Sequence, residues 1–417
     1  MSSHHPILRL LLALAISLPV GAFAAHVNPR PLTSPKPKSH LTESRRARRR
    51  LHHLARSRGA VHATVVARTR SHHRPRHHRY YEHFSASSFV TADVTEGDVV
   101  EGEDPVVRQA AIDALGNMNG TVVAIEPTSG RILAMVNQKL ALSSGAQPCS
   151  TIKLSVALAA LSEGIIDKDT NVRLGGRSHM NLTTALAHSN NAYFEALGRR
   201  LGFQTVSHYA HLYGLGELAG YNIPGEHVGT YPEQVIPASL GGVGKMCSFG
   251  EGVSMTPLQL GALVSAIANG GTLYYLQHPT TPEQVANFQP RIKRQLNIAP
   301  LIPDISDGMA GAVEYGTARR VGLSFNEEEI LGKTGTCSKA GTRFGWFASY
   351  ANTDVGRIVV VVFLQGGRPT FGPKAAELAG RMYRSLYDHE FFAAHPLPVS
   401  SPDSSADVKA VKSEEAP

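Results

Sequence analysis

At 417 residues, 42% of them hydrophobic, the chain can bury one large core or two ordinary ones. Its net charge of +8 is unevenly placed: residues 26–83 hold 15 Lys/Arg, 10 His and 2 acids, while everything after residue 83 holds 25 Lys/Arg against 31 Asp/Glu. The positive excess is the property of a tail on a mildly acidic body, which excludes a basic globule shaped to hold nucleic acid.

Residues 1–24 read as an export signal. A His/Arg-bearing start precedes the apolar run 10–20, which is broken by Pro19 and Gly21, and Ala22-Phe23-Ala24 places small residues at the cleavage spacing. The run is short for a bilayer span of roughly 20 residues, so cleavage is the first expectation and an uncleaved membrane anchor the alternative. Either way the body is expected outside the cytoplasm, in the periplasm or cell envelope. Residues 25–95 are expected to be a disordered tether: the Arg run at 44–50 and the His-His and Arg-rich pieces up to Tyr81 show no apolar period. Their charge suits an anionic membrane or wall surface, acting through residues 26–95. Nucleic acid is not expected as a partner, because the segment is exported and lacks interleaved aromatics. Residues 396–417, rich in Ser, Pro, Ala and acids, read as a second disordered tail.

The folded body is expected over residues 96–395. A helix is predicted over 105–117, with Val106, Val107, Ala110, Ile112 and Leu115 at helical spacing. Two Val/Ile/Leu-rich strands follow at 121–125 and 131–136, joined by a turn containing Pro127 and Gly130. A long helical middle runs from Thr151 to about Gln259. Strands return at 330–337, 345–351 and 357–365, before a closing helix at 374–387. Strands at both ends of a helical middle predict one sheet completed by distant segments: an α/β chain of α+β type, with an antiparallel sheet flanked by helices and an all-helical subdomain.

Three short motifs carry candidate chemistry. In Ser150-Thr151-Ile152-Lys153, residues i and i+3 of a helix start share a face, so the Lys153 amine sits beside the Ser150 hydroxyl. A serine hydroxyl needs a base to become a nucleophile, and a lysine whose pKa is lowered by burial and neighbouring cations can be that base. A helix N-terminus adds backbone N–H groups for a developing oxyanion. Taken alone, Ser150 could equally be a helix cap. Ser189-Asn190-Asn191 opens a helical run at 192–201; Ser189 could relay a proton and Asn191 hold a substrate amide, or the three could simply cap a helix. Lys333-Thr334-Gly335-Thr336 ends a strand, where a cation and two hydroxyls on one edge suit an extended peptide ending in a carboxylate. Gly335 would leave room for the substrate backbone. The plain alternative is a strand ending in a turn.

Together and in this order, the motifs resemble those of the transpeptidase domain of penicillin-binding proteins, which share them with serine β-lactamases. The likeness runs from about residue 104 to 390. It includes the hairpin stretch 125–135, the helix continuation 157–164, the stretch 250–260 with Ala268-Asn269-Gly270-Gly271, Gly316-Thr317-Ala318, and Gly345-Trp346-Phe347. It implies the penicillin-binding/β-lactamase-like fold and a serine D,D-transpeptidase acting on D-alanyl-D-alanine of peptidoglycan stem peptides. In the implied roles Ser150 attacks, Lys153 is the base, and Ser189 and Lys333 pass a proton to the leaving nitrogen. Asn191 orients the substrate, Thr334 and Thr336 bind the terminal carboxylate, and the backbone N–H groups of Ser150 and Thr336 form the oxyanion hole. β-Lactams would acylate the same serine, and neither metal nor organic cofactor is implied. The rival readings are a D,D-carboxypeptidase, a β-lactamase-type hydrolase, and a non-catalytic wall-binding or β-lactam-sensing protein. Against a class A β-lactamase, no Glu-x-x-Leu-Asn loop is found; Glu226 and Glu233 lie between the second and third motifs in a stretch similar to the penicillin-binding family's.

Three departures from the family pattern stand out. Only a basic tether precedes the domain, so a separate glycan polymerase is the expected partner. The spacing from Ser150 to Ser189 is short, which implies a more open cleft. The residue before the nucleophile, commonly glycine in this family, is Cys149. A subset of serine β-lactamases carries a disulfide at positions matching Cys149 and Cys337, and the resemblance implies the same bridge here, which an oxidising compartment would preserve. Two small buried thiols are the alternative, and Cys247 would stay unpaired in either case.

Overall fold

The computed structural model describes residues 84–353 and 357–394. The expected signal, nearly all of the tether and the C-terminal tail lie outside the described residues.

Helix α1 (Pro105–Leu115) begins where the Asp104 carboxylate accepts the N–H groups of Val106 and Val107 and Pro105 occupies the first turn. Its buried stripe is Val107, Ala110, Ala111, Ala114 and Leu115. Strands β1 (Gly120–Glu126) and β2 (Arg131–Val136) form the expected hairpin, pairing Val122 with Val136, with a register shift between Ala124 and Ile125. The chain then enters the helical region through a 3-10 turn, Cys149–Ile152, that runs into α2 (Lys153–Ser162). A small hairpin of β3 (Val172–Gly175) and β4 (Ser178–Met180) precedes α3 (Leu182–Ala187) and α4 (Asn191–Leu212). Helices α5 (Gly242–Phe249) and α6 (Pro257–Ala268) follow; α6 opens with a reciprocal cap between Thr256 and Gln259. A second two-stranded sheet, β5 (Thr272–Tyr274) with β6 (Ile292–Gln295), leads to α7 (Ile302–Glu314). The last segment is β7 (Ile330–Lys339), β8 (Thr342–Ala351), β9 (Val359–Gly366) and α8 (Gly372–Asp388). The helical region therefore also carries two small sheets, whose strands are too short to show an alternating pattern.

The main sheet has the order β2-β1-β9-β8-β7, antiparallel throughout, so the first hairpin joins the last three strands as expected. Apolar cores fill both faces. One is closed by α1 and α8, through Leu115, Leu378, Met382 and Tyr383 against Val122, Val360 and Val362. The other is closed by the helical region, through Leu158, Phe194, Leu197 and Leu263 against Ile125, Val361 and Trp346. Strand β7 forms the open edge of the sheet, with the 3-10 turn packed beside it.

Residues 84–95, read from the sequence as the end of the tether, are bonded to the folded body. Ser85 N–H donates to Arg368 O at 2.7 Å, Val90 N–H to Asn117 O at 2.9 Å, and the Ser88 hydroxyl meets that of Thr370 at 2.9 Å. Asp98 and Glu103 both pair with Arg108. Residues 84–95 are held by backbone bonds to loops, which leave no apolar period in the sequence to read.

Candidate active site

Ser150 sits in the 3-10 turn ahead of α2, not in the α-helix itself. Residues three apart eclipse one another in such a turn, and the Lys153 Nζ lies 3.0 Å from Ser150 Oγ. The turn is entered through Cys149, whose φ of +52° lies in the left-handed region. Glycine takes that conformation without a Cβ penalty; Cys149 is held in it by a disulfide to Cys337, with Cα atoms 5.5 Å apart. The third cysteine, Cys247, is free and buried.

The second motif closes over Lys153. Ser189 also takes a left-handed φ, +53°, and Asn190 caps α4 by accepting the Tyr193 N–H. This leaves Asn191 on the first turn facing the lysine. Lys153 Nζ donates to Asn191 Oδ1 at 2.6 Å and to Ser189 O at 2.7 Å, and lies 3.1 Å from Ser189 Oγ. The Phe194 ring shields it from the far side, 5.5 Å from ring centre to Nζ.

From the sheet edge, Lys333 Nζ donates to Ser189 Oγ at 2.8 Å and to Thr334 O at 2.9 Å. Ser189 therefore stands between two lysine side chains, both fully buried. Among the described residues no carboxylate hydrogen-bonds to Ser150, Lys153, Ser189 or Lys333. Burial first, and then the positive charge of Lys333, bring the Lys153 pKa down from 10.5 to about 6, although Glu195 pulls the other way. Burial brings Lys333 down to about 7.

Strand alternation divides the third motif. Lys333 and Gly335 point toward the 3-10 turn, whereas Thr334 and Thr336 point toward the α8 side. The Thr334 and Thr317 hydroxyls are 2.6 Å apart, and Thr336 Oγ1 accepts the Gly372 N–H at the start of α8, at 2.8 Å. The cation and the two hydroxyls thus lie on opposite faces of β7, which is an edge strand of the sheet. A Cβ at Gly335 would lie 2.8 Å from Pro148 O and 3.1 Å from Thr151 Cγ2. The glycine lets the nucleophile's turn approach the strand closely.

Three supporting residues had no role in the sequence reading. Thr317, inside the quoted Gly316-Thr317-Ala318, fixes the Thr334 hydroxyl. Trp346 donates its indole N–H to Gln147 O at 3.0 Å and stacks on Phe363 at 4.0 Å, anchoring the segment before Cys149. Gln147 in turn donates to Phe249 O and to Glu251. Only contacts between distant segments reveal these roles. Of the two acids weighed for hydrolysis, Glu226 accepts the N–H groups of Ala219 and Gly220 in a turn, and Glu233 is exposed.

The arrangement can remove a proton from Ser150. A neutral Lys153 amine has two N–H donors and one lone pair. If the carbonyl oxygens of Asn191 and Ser189, its shortest contacts, take both donors, the lone pair is left for a hydroxyl, with Ser150 at 3.0 Å and Ser189 at 3.1 Å both in reach.

The family model described as the penicillin binding protein transpeptidase domain matches residues 120–384. The chain is 29% identical over 316 residues to stage V sporulation protein D of Bacillus subtilis, covering 63% of this chain and 48% of that protein. It is 25% identical over 347 residues to the peptidoglycan D,D-transpeptidase MrdA of Acinetobacter baumannii, covering 64% and 51%. The chain thus spans about half the length of these curated relatives. The crystal structure of Pseudomonas aeruginosa PBP2 in complex with WCK 5153 shares the fold, with a TM-score of 0.57 and 22% identity over 72% of this chain and 78% of that one. So does the D,D-transpeptidase domain of a peptidoglycan glycosyltransferase from Eggerthella lenta, with a TM-score of 0.55 and 20% identity over 69% and 82%.

Proposed function

This chain belongs to the penicillin-binding protein transpeptidase family, and from that premise we propose that it is an exported serine D,D-transpeptidase that cross-links peptidoglycan. Ser150 Oγ attacks the penultimate D-alanine carbonyl of a stem peptide as Lys153 takes its proton. The tetrahedral oxyanion sits between the backbone N–H groups of Ser150 and Thr336. Its collapse breaks the peptide bond; the leaving nitrogen receives a proton through Ser189 and Lys333, and terminal D-alanine departs. Asn191 aligns the substrate amide, and the hydroxyls of Thr334 and Thr336 meet the carboxylate. An amine of a neighbouring stem then attacks the acyl-enzyme and restores Ser150, whereas attack by water would make the same centre a carboxypeptidase. A β-lactam is opened by the first step. The observation that carries this reading is the fully buried Lys153 amine, 3.0 Å from the Ser150 hydroxyl and held there by the oxygens of Asn191 and Ser189.

A β-lactamase-type hydrolase is disfavoured because Glu226, the more buried of the two acids considered, is spent on backbone N–H groups. The penicilloyl-enzyme should therefore be long-lived. The chain would act beside a separate glycan polymerase and be held to an anionic membrane or wall surface by the basic residues 26–83, outside the cytoplasm behind the leader at 1–24, cleaved or retained.

The test is a fluorescent penicillin followed by peptide mass spectrometry. The expected result is a single adduct on Ser150, stable over the assay and absent in Ser150→Ala. An adduct on another residue, or label lost within one catalytic cycle, would contradict the assignment. A chain beginning at Phe84 should label normally yet lose salt-sensitive binding to anionic vesicles; unchanged vesicle binding would remove the tether from the account.

A further inference from the structure

Beyond β2, at the edge of the sheet opposite β7, two short segments continue the pairing. Ile132 N–H donates to Gln277 O at 2.8 Å and Gln277 N–H to Gly130 O at 2.9 Å. Leu276 N–H then donates to Ala219 O, and Tyr221 N–H to Leu276 O at 2.8 Å. On this extension lies a cleft of about 420 Å³, bounded by the segment at Tyr221, by residues 277–279 and by the short helix Pro282–Ala286 with the residues after it. The edge strands β2 and β7 are separated by four strand spacings, roughly 19 Å. The cleft is therefore remote from Ser150 and takes no part in the acyl transfer described above.

Its lining has a consistent chemistry. Tyr221 and Phe288 supply aromatic surface, Asn222, Gln277, Gln284 and Asn287 supply side-chain amides, and no Asp or Glu lines it. The amides are half anchored. Gln277 Nε2 donates to Gln289 O at 2.9 Å, Gln284 Oε1 accepts the Thr280 N–H at 2.7 Å, and Asn287 Nδ2 donates to Glu283 O at 3.0 Å. Among the described residues, no hydrogen bond engages the opposite end of any of these three amides, nor the side chain of Asn222. The Tyr221 ring is also fixed, with the Arg291 guanidinium 4.1 Å from its centroid and Tyr275 edge-on at 5.9 Å, while 39% of the residue stays open to solvent.

A held tyrosine ring, a second aromatic ring and amides with free donors or acceptors suit a ligand that is apolar on its ring faces and hydrogen-bonding at its rim. A pyranose has that character: its C–H face packs on an aromatic ring, and its hydroxyls both donate and accept. An N-acetyl group adds an amide that needs one donor and one acceptor. The volume falls in the range of small-ligand clefts, roughly 300–1,000 Å³.

We propose that this cleft binds the glycan strand, recognising N-acetylated sugar units. Identifying that glycan as the backbone carrying the stem peptides rests on the proposed transpeptidase reading. Docking the strand at the edge opposite β7 would hold the polymer while its peptides reach Ser150, and raise their local concentration there.

The test titrates the full chain, before and after penicillin acylation, with the β-1,4-linked tetramer of N-acetylglucosamine, using cellotetraose as the control. Tetramer binding should persist in the acylated protein and be absent or much weaker with cellotetraose. Tyr221→Ala should weaken it on the order of tenfold, the loss of one stacking partner. Gln284→Ala should weaken it by a smaller factor, and both variants should react with penicillin at the wild-type rate. No tetramer binding, equal binding by Tyr221→Ala, equal affinity for cellotetraose, or competition with penicillin would each overturn the cleft assignment. Tetramer binding by a chain that penicillin fails to label would instead overturn the acyl-transfer reading and leave the cleft standing.

Discussion

The two faces of the five-stranded sheet are built for different ends. Under α1 and α8 the buried surface is almost wholly apolar, and the Tyr383 hydroxyl meets Ser349 at 3.0 Å. On the other face, at the β7 edge, two buried lysines share one serine with no carboxylate hydrogen-bonded to them, and two non-glycine residues hold left-handed backbone. Burying lysines without a carboxylate partner and holding non-glycine residues at positive φ each cost stability. They are tolerable where the surrounding structure over-determines them, and here the opposite face supplies ordinary hydrophobic stabilisation. Ordinary packing across the sheet supports a strained, lysine-bearing site at its β7 edge.

That contrast can be broken by substitution, and the largest effect belongs to the charged face. Lys153→Ala should slow acylation by penicillin on the order of 10²–10⁴-fold, the usual range for losing a general base, with little change in melting temperature. A drop in melting temperature matching the loss of rate would make Lys153 structural. On the apolar face the pattern should invert. Leu378→Ala should cost about 2–5 kcal/mol of stability and leave the acylation rate of the folded fraction unchanged, as read by denaturant unfolding alongside stopped-flow labelling.

A smaller effect separates the bridge from the backbone beneath it. Cys149→Gly and Cys149→Ala both remove the disulfide, but only alanine keeps a Cβ at φ +52°. The alanine variant should be less stable by about 1 kcal/mol, the penalty of a left-handed Cβ, and should acylate more slowly because the Ser150 turn relaxes. Equal behaviour of the two would show that backbone conformation at this position does not matter.

Much of this was legible in the sequence because it rests on short-range spacing. Ser150 and Lys153 are three residues apart, so any helical turn brings them together; the β1–β2 hairpin announces itself through Pro127 and Gly130 between apolar runs. The single sheet followed from strands at both ends of the chain. What escaped was long-range. No local pattern pairs Thr317 with Thr334 or ties Ser85 to Arg368. The role of Gly335 could not be seen without knowing that Pro148 and Thr151 press against it. The division of Lys333 from Thr334 and Thr336 between the two faces of β7 is different in kind: strand alternation gives it from the sequence.

The central claim is that Lys153 is neutral at physiological pH and takes the proton of Ser150. Its most direct test is the pH dependence of the second-order rate constant for acylation by penicillin. A lysine loses its proton as pH rises, so with a pKa of about 6 the base form, and the rate, should climb through half of the plateau near pH 6. In Lys333→Gln, which removes the neighbouring positive charge, that limb should move to higher pH while the rate falls. A wild-type rate that keeps rising toward the ordinary lysine pKa of 10.5 would contradict the account, as would a limb that stays in place in Lys333→Gln.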